Sequence, residues 1–170
     1  MIGVIGSVCA DEILYLDFLP TLSQDAKILK REMKLGGCAY YVSKAIQDCT
    51  LISSIGTGVY ADYILNHIQD EIFECILIPR KEENGVCICE IDHGERTFLS
   101  LHGAEYNLNG ISDEIEDFNW IYLSGIDLEE NKDLLKSIDK NLFISPGPRY
   151  KNLDMNSIYS KHPVLHMNMD

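Results

Sequence analysis

One carboxylate and one pair of glycines are spaced so that they suggest ligand chemistry. Asp11 follows Gly6-Ser7 just past a first apolar segment, while Gly36-Gly37 closes an extended run, residues 26–35, and opens a helix near Cys38. Adjacent glycines let backbone N–H groups approach a ligand with no Cβ in the way. A helix start adds unpaired donors and partial positive charge. An ionised aspartate accepts hydrogen bonds only, which suits a polyhydroxylated molecule. Together they point to a hydroxyl-rich small molecule held between Asp11 and a glycine-lined helix start. Taken alone, Asp11 reads as a turn or cap residue. Its weight comes from Gly6-Ser7 before it and Gly36-Gly37 beyond.

The elements that must position these residues follow from hydrophobic periodicity. Residues 2–5, 51–55, 74–78, 120–124, 142–144 and 164–167 read as strands, with Pro79 ending the third and Pro146-Gly147-Pro148 stopping the fifth. Ala39, Val42, Ala45 and Ile46 share one helical face, and Ala61, Ile64, Leu65, Ile68 and Ile72 form an amphipathic stripe. A further helix is expected near Asp127, with Asp127 as N-cap and Glu130 three positions on. Acidic residues crowd its first turn, and Lys132 and Lys136 follow, in keeping with the helix dipole. This rhythm predicts an α/β fold with a largely parallel sheet and helices on both faces. Two stretches break it. Residues 13–35 are extended with no helix between, and residues 85–101 read as a hairpin turning at Asp92-His93-Gly94-Glu95. They predict a small antiparallel sheet beside the main one, of the kind that closes over ligands.

The chain's 170 residues are the size of one domain, and 46% hydrophobic with 24% charged residues predicts a packed core. A net charge of −13 argues against nucleic acid and anionic membrane surfaces as partners. No uninterrupted apolar run is long enough to cross a bilayer, and the first five residues read as a strand, so a cytoplasmic location is expected. Cys9, Cys38, Cys49, Cys75, Cys87 and Cys89 are expected as reduced core thiols, and Cys87-x-Cys89 has the wrong spacing for a zinc knuckle. Its period of two places both thiols on one strand face.

Two further patterns bear on function. Gly56-Thr57-Gly58-Val59-Tyr60-Ala61 matches G-x-G-x-x-A between a strand and a helix, the setting of a dinucleotide site. The next strand ends in Pro79-Arg80 with no acidic residue for a ribose, so a tight strand-to-helix turn fits better and a dinucleotide-binding domain is the lesser alternative. The histidines at 67, 93, 102, 162 and 166 form no metal pair, and no metal site is expected. His102-Gly103-Ala104 follows the hairpin, where His102 either faces a ligand or stands in solvent.

In their order, these stretches resemble the PfkB or ribokinase family of ATP-dependent sugar and nucleoside kinases. The resemblance runs through Gly6-Ser7-Val8-Cys9-Ala10-Asp11, Gly36-Gly37, Ile55-Gly56-Thr57-Gly58 with Asp62, Gly94-Glu95-Arg96-Thr97-Phe98 into Gly103-Ala104, and Tyr122-Leu123-Ser124-Gly125. It implies a doubly wound, ribokinase-like domain over residues 1–170 with lid segments at about 12–36 and 84–104. It also implies transfer of the γ-phosphoryl of ATP to a substrate hydroxyl, usually with Mg²⁺. By that similarity Asp11 would hold substrate hydroxyls, Gly36 and Gly37 would line the pocket, Cys9, Tyr41 and His102 would complete it, and lid strands would pair across a homodimer. Cys9 and Tyr41 stand where family members often have asparagine, and Ser145 replaces a frequent aspartate, which widens the choice of substrate. No Gly-Ala-Gly-Asp, the family's catalytic segment, is found, and Met167-Asn168-Met169-Asp170 looks like the start of its Asn-x-x-Glu motif. The expectation is therefore a truncated chain, without catalytic residues and without most of the ATP site, inactive alone. The alternative is a non-catalytic ligand-binding or dimerising remnant.

Overall fold

Short runs of isoleucine, leucine and valine, buried on both sides, build the central sheet. In the computed structural model, which describes residues 1–127, 130–146 and 163–166, six strands belong to it: β1 (Ile2–Gly6), β4 (Thr50–Thr57), β5 (Glu74–Glu83), β8 (Trp120–Ser124), β9 (Asn141–Ser145) and β10 (Val164–Leu165). Their order is β10-β9-β8-β1-β4-β5, and every neighbouring pair is parallel. Successive side chains divide between two cores, as the strand period requires. Val4 and Leu51 pack with Ala39, Tyr40, Ala61 and Ile64 of helices α1 (Cys38–Ile46) and α2 (Val59–Ile68). Ile5 and Ile52 pack on the other face with Leu108, Ile111 and Ile115 around two 3₁₀ turns, and with Leu134 and Leu135 of α3 (Lys132–Ser137). Helical layers on both faces make the sheet doubly wound, as expected.

The second sheet contains β2 (Cys9–Leu16), β3 (Ile28–Gly36), β6 (Val86–Asp92) and β7 (Glu95–Leu101), in the order β3-β2-β6-β7. It is mixed rather than antiparallel: β2–β3 and β6–β7 are antiparallel, but β2–β6 is parallel. The reason is topological. β2 continues from β1 and β6 from β5, two parallel strands of the central sheet, so both enter the second sheet in one direction. The hairpin turn falls on His93 and Gly94, with φ of 48° and 91°, as the Asp-x-Gly pattern predicts.

Other expectations are corrected. Pro79 does not end its strand. It pairs with Ile55 inside β5, an edge strand where a missing N–H is tolerated. α2 stops at Ile68, so Ile72 is 71% exposed and Phe73 takes the buried place, while Leu65 also faces outward. On α1 the buried residues are Ala39, Tyr40 and Ser43, and Ala45 is exposed. α3 starts at Lys132, not at Asp127, whose carboxylate accepts the Glu130 N–H in a turn. Cys9 and Cys89 are buried, but Cys38 is exposed. The expectations placed on Gly147, Pro148, His162 and residues 167–170 lie outside the described residues.

Candidate functional site

Asp11 sits two residues into β2, in register with Lys34 of β3 and Cys87 of β6. Its carboxylate is half-buried and lies against the backbone of Gly36, so closely that a Cβ at Gly36 would overlap it. Any side chain there would displace the acid. Gly37 follows as the N-cap of α1 at φ 102°, a left-handed conformation that favours glycine, where a Cβ would overlap the Ser7 carbonyl. The Ser7 hydroxyl donates to the Gly125 carbonyl at 3.4 Å, which ties the β1–β2 turn to the end of β8. The acid after the first strand and the glycine pair at the end of β3 therefore meet, through Gly36.

The acid has thiol neighbours. Cys9, 7% exposed, donates its S–H to Asp11 Oδ1 at 3.4 Å. Burial pushes the Asp11 carboxyl above its ordinary 3.8, and hydrogen bonding from the Cys9 and Cys87 thiols pulls the other way. Burial, and then the Asp11 charge, push the Cys9 thiol far up, so it stays protonated and able to donate. Partial burial, followed by the Asp11 charge, raises the Tyr41 hydroxyl as well. Tyr41 is 54% exposed, its ring meets Tyr40 edge-on at 5.2 Å, and its hydroxyl donates to the Leu35 carbonyl at 3.4 Å. The grouping thus offers an acceptor-only acid, a helix start and an exposed aromatic face.

His102 is placed differently. It is exposed, stacks on Tyr106 at 3.9 Å, and lines a cavity of about 320 Å³ with Gly103, Tyr106, Asn107, Asn109, Glu130 and Asn131. That described lining shares no residue with the Asp11 group. Cys87 belongs beside Asp11 and was not anticipated by sequence reasoning, whereas Ser7, singled out with Gly6, meets Gly37 and Gly125. Only the register of two strands more than seventy residues apart brings Cys87 to Asp11. Among the described residues, no three His, Cys, Asp or Glu side chains gather to hold a metal. No described helix is long and apolar enough to cross a membrane.

The fold defines a ribokinase-type α/β domain. No protein-family model matches the chain. Over 111 residues it is 28% identical to the uncharacterized sugar kinase YegV of Escherichia coli (strain K12), an alignment that covers 62% of this chain and 35% of that protein. Ribokinase from Thermotoga maritima superposes with a TM-score of 0.85 at 17% identity, over 99% of this chain and 59% of that one. A nucleoside kinase of Burkholderia thailandensis, solved in complex with inosine, superposes with a TM-score of 0.71 at 14% identity, over 95% of this chain and 57% of that one. The fold is that of the ribokinases, and the resemblance to sugar kinases read from the motifs is borne out. The chain spans about a third of the curated relative's length and under 60% of these solved kinases.

Proposed function

We propose that this chain is the acceptor-substrate half and cover of a carbohydrate or nucleoside kinase. The observation that carries the reading is the Asp11 carboxylate seated on Gly36 beside the N-terminus of α1. In this reading Asp11 accepts hydrogen bonds from the hydroxyls of a sugar or nucleoside. Gly36 and Gly37 bring backbone to the ligand, and Cys9 holds the acid in place. Tyr41 offers its ring to the ligand's less polar part, and His102 borders the exit of the cover. The second sheet, within segments of about 12–36 and 84–104, acts as the cover.

ATP with Mg²⁺ supplies the phosphoryl group in kinases of this type. No described residue is assigned to Mg²⁺, and the 170 residues contain no Gly-Ala-Gly-Asp. These residues therefore bind and orient the acceptor hydroxyl, and proton abstraction is not assigned to them. Orientation alone supplies a large part of such catalysis, because phosphoryl transfer depends on in-line positioning. Mixed with ATP, Mg²⁺ and inosine or ribose, the purified chain is expected to release no ADP above background. The cover also offers a surface for homodimer pairing.

The test of the acceptor site is Asp11→Ala, followed by thermal shift and titration calorimetry with inosine and ribose. The parent chain is expected to bind one of them, and the variant to bind it about 10- to 100-fold more weakly, as loss of charged hydrogen bonds implies. Its own melting temperature should hardly move. Unaltered affinity with a large loss of stability would assign Asp11 a structural role and end the kinase reading.

A further inference from the structure

Glu105 is a carboxylate that the acceptor site does not use, yet the fold buries it to 1% exposure. Its Oε2 accepts the Gly85 N–H at 2.9 Å and the Asn84 side-chain amide at 3.2 Å. Its Oε1 accepts the Gly103 N–H at 3.1 Å. Asn84 in turn accepts the Gly56 N–H through Oδ1 at 2.5 Å and donates its own N–H to the Thr57 carbonyl at 3.0 Å.

The positions of these partners matter. Gly85 immediately precedes β6 and Gly103 lies two residues past the end of β7, so they mark the two points where the β6–β7 hairpin joins the body. Gly56 and Thr57 belong to β4 of the central sheet. The two crossings lie back to back, and a Cβ on Gly103 would overlap the Gly85 nitrogen. One carboxylate thus holds both crossings and, through Asn84, the central sheet.

Every hydrogen-bond partner of that carboxylate is a donor, and among the described residues it has no ionic partner. Burying a carboxylate without a cation is expensive, and amide donors offset only part of the cost. An apolar residue would fill the place more favourably, but would leave two strand-crossing amides without acceptors. We infer that Glu105 is a positioning residue that clamps the β6–β7 hairpin to the central sheet, and so fixes how the cover sits over Asp11. Only the last clause rests on the proposed acceptor site; the clamp itself does not.

The neutral isostere gives a sharp test. Glutamine offers one oxygen and one NH₂ group, so whichever way it turns, an N–H faces the N–H of Gly85 or of Gly103. One crossing then loses its acceptor. Hydrogen exchange on the full chain without ligand is expected to run about tenfold faster in Glu105→Gln over residues 86–101, with β1, β4 and β8 unchanged. Unchanged exchange over residues 86–101, or equal acceleration in both sheets, would overturn the clamp.

Asn84→Ala is the second variant, because it cuts the link to Gly56 and leaves Glu105 and both glycines in place. Apart from the Gly56 amide, which loses its acceptor, it should accelerate the same segment about threefold and leave the rest of the central sheet unchanged. Uniform acceleration would count against the clamp, and failure of both variants to fold would assign Glu105 to global stability instead. No ligand enters the measurement, so a failed acceptor-site reading would leave its outcome standing.

Discussion

At the scale of single residues, the Asp11 group makes opposite demands on stability and on binding. Burial holds the folded carboxyl above 3.8, so the folded state keeps its proton to higher pH than the unfolded chain. Stability therefore falls as pH rises from the unfolded value through the folded one, and stays lower above it. Asp11→Asn removes this term and should melt slightly higher than the parent near neutrality, with the gap closing below pH 3.8. Ligand binding has the reverse sign, because hydroxyls donate to the ionised acid. Affinity should fall as pH drops through the raised folded pKa, and should be flat for the asparagine variant; calorimetry across that range tests both. Gly36→Ala should weaken binding as much as Asp11→Ala, since its Cβ would occupy the place of the carboxylate. Asp11 and the twin glycines were legible because each has a local pattern: a strand end, an extended run, a helix start. Cys87 was not, because hydrophobic alternation shows which face a thiol takes but not which strand lies beside it. Glu105 was hidden for the same reason, since an acidic residue between Ala104 and Tyr106 gives no local sign that distant amides bury it.

Among the elements, those decided by local sequence were read well and those decided by neighbours were not. β8 was legible from end to end because an apolar run closed by Gly125 has no competing pattern. The hairpin β6–β7 was legible because Asp92-His93-Gly94 supplies two positive φ angles. The sequence pattern stops β5 at Pro79 because nothing in it says that the strand lies at an edge. The stripe on α2 runs on to Ile72 in the sequence because periodicity continues after the helical hydrogen bonds have ended. The start of α3 shows the same limit. Asp127 has the chemistry of a cap, but the interior holds Asn131 instead, 1% exposed. Asn131 accepts the Leu108 N–H at 3.0 Å and donates to the carbonyls of Tyr106 and Asp127 at 3.2 and 2.8 Å. Asn131→Ala would leave the buried Leu108 N–H without a partner. It should cost about 2 kcal/mol, a fall in melting temperature of about 4–8 °C for a chain of this size. A fall under 1 °C, on the same scale, would show that water replaces the amide.

For the molecule as a whole, the exposed edges of the second sheet make a prediction of their own. In the order β3-β2-β6-β7, the outer sides of β3 and β7 have no strand partner among the described residues. Both edges carry apolar side chains: Ile28 and Leu29 on β3 are 51% and 61% exposed, and Phe98, Leu99 and Leu101 on β7 are 57%, 56% and 66% exposed. Edge strands in monomeric proteins are usually blunted by charge, proline or bulges. β3 follows that rule in part, with Lys30, Arg31, Glu32 and Lys34 along it and a salt bridge from Arg31 to Glu12 at 2.7 Å. From Thr97 to Leu101, β7 does not. Leu99 and Leu101 lie on one face of it and Phe98 on the other, so pairing with a second copy would cover apolar surface as well as backbone. Sedimentation velocity should therefore show a concentration-dependent dimer. Leu99→Lys combined with Leu101→Lys should return the chain to a monomer with little change in melting temperature, because neither side chain contributes to the core. A parent chain that stays monomeric over a hundredfold range of concentration would defeat the prediction. So would a lysine pair that unfolds the protein, which would show that the exposed leucines hold the sheet itself together.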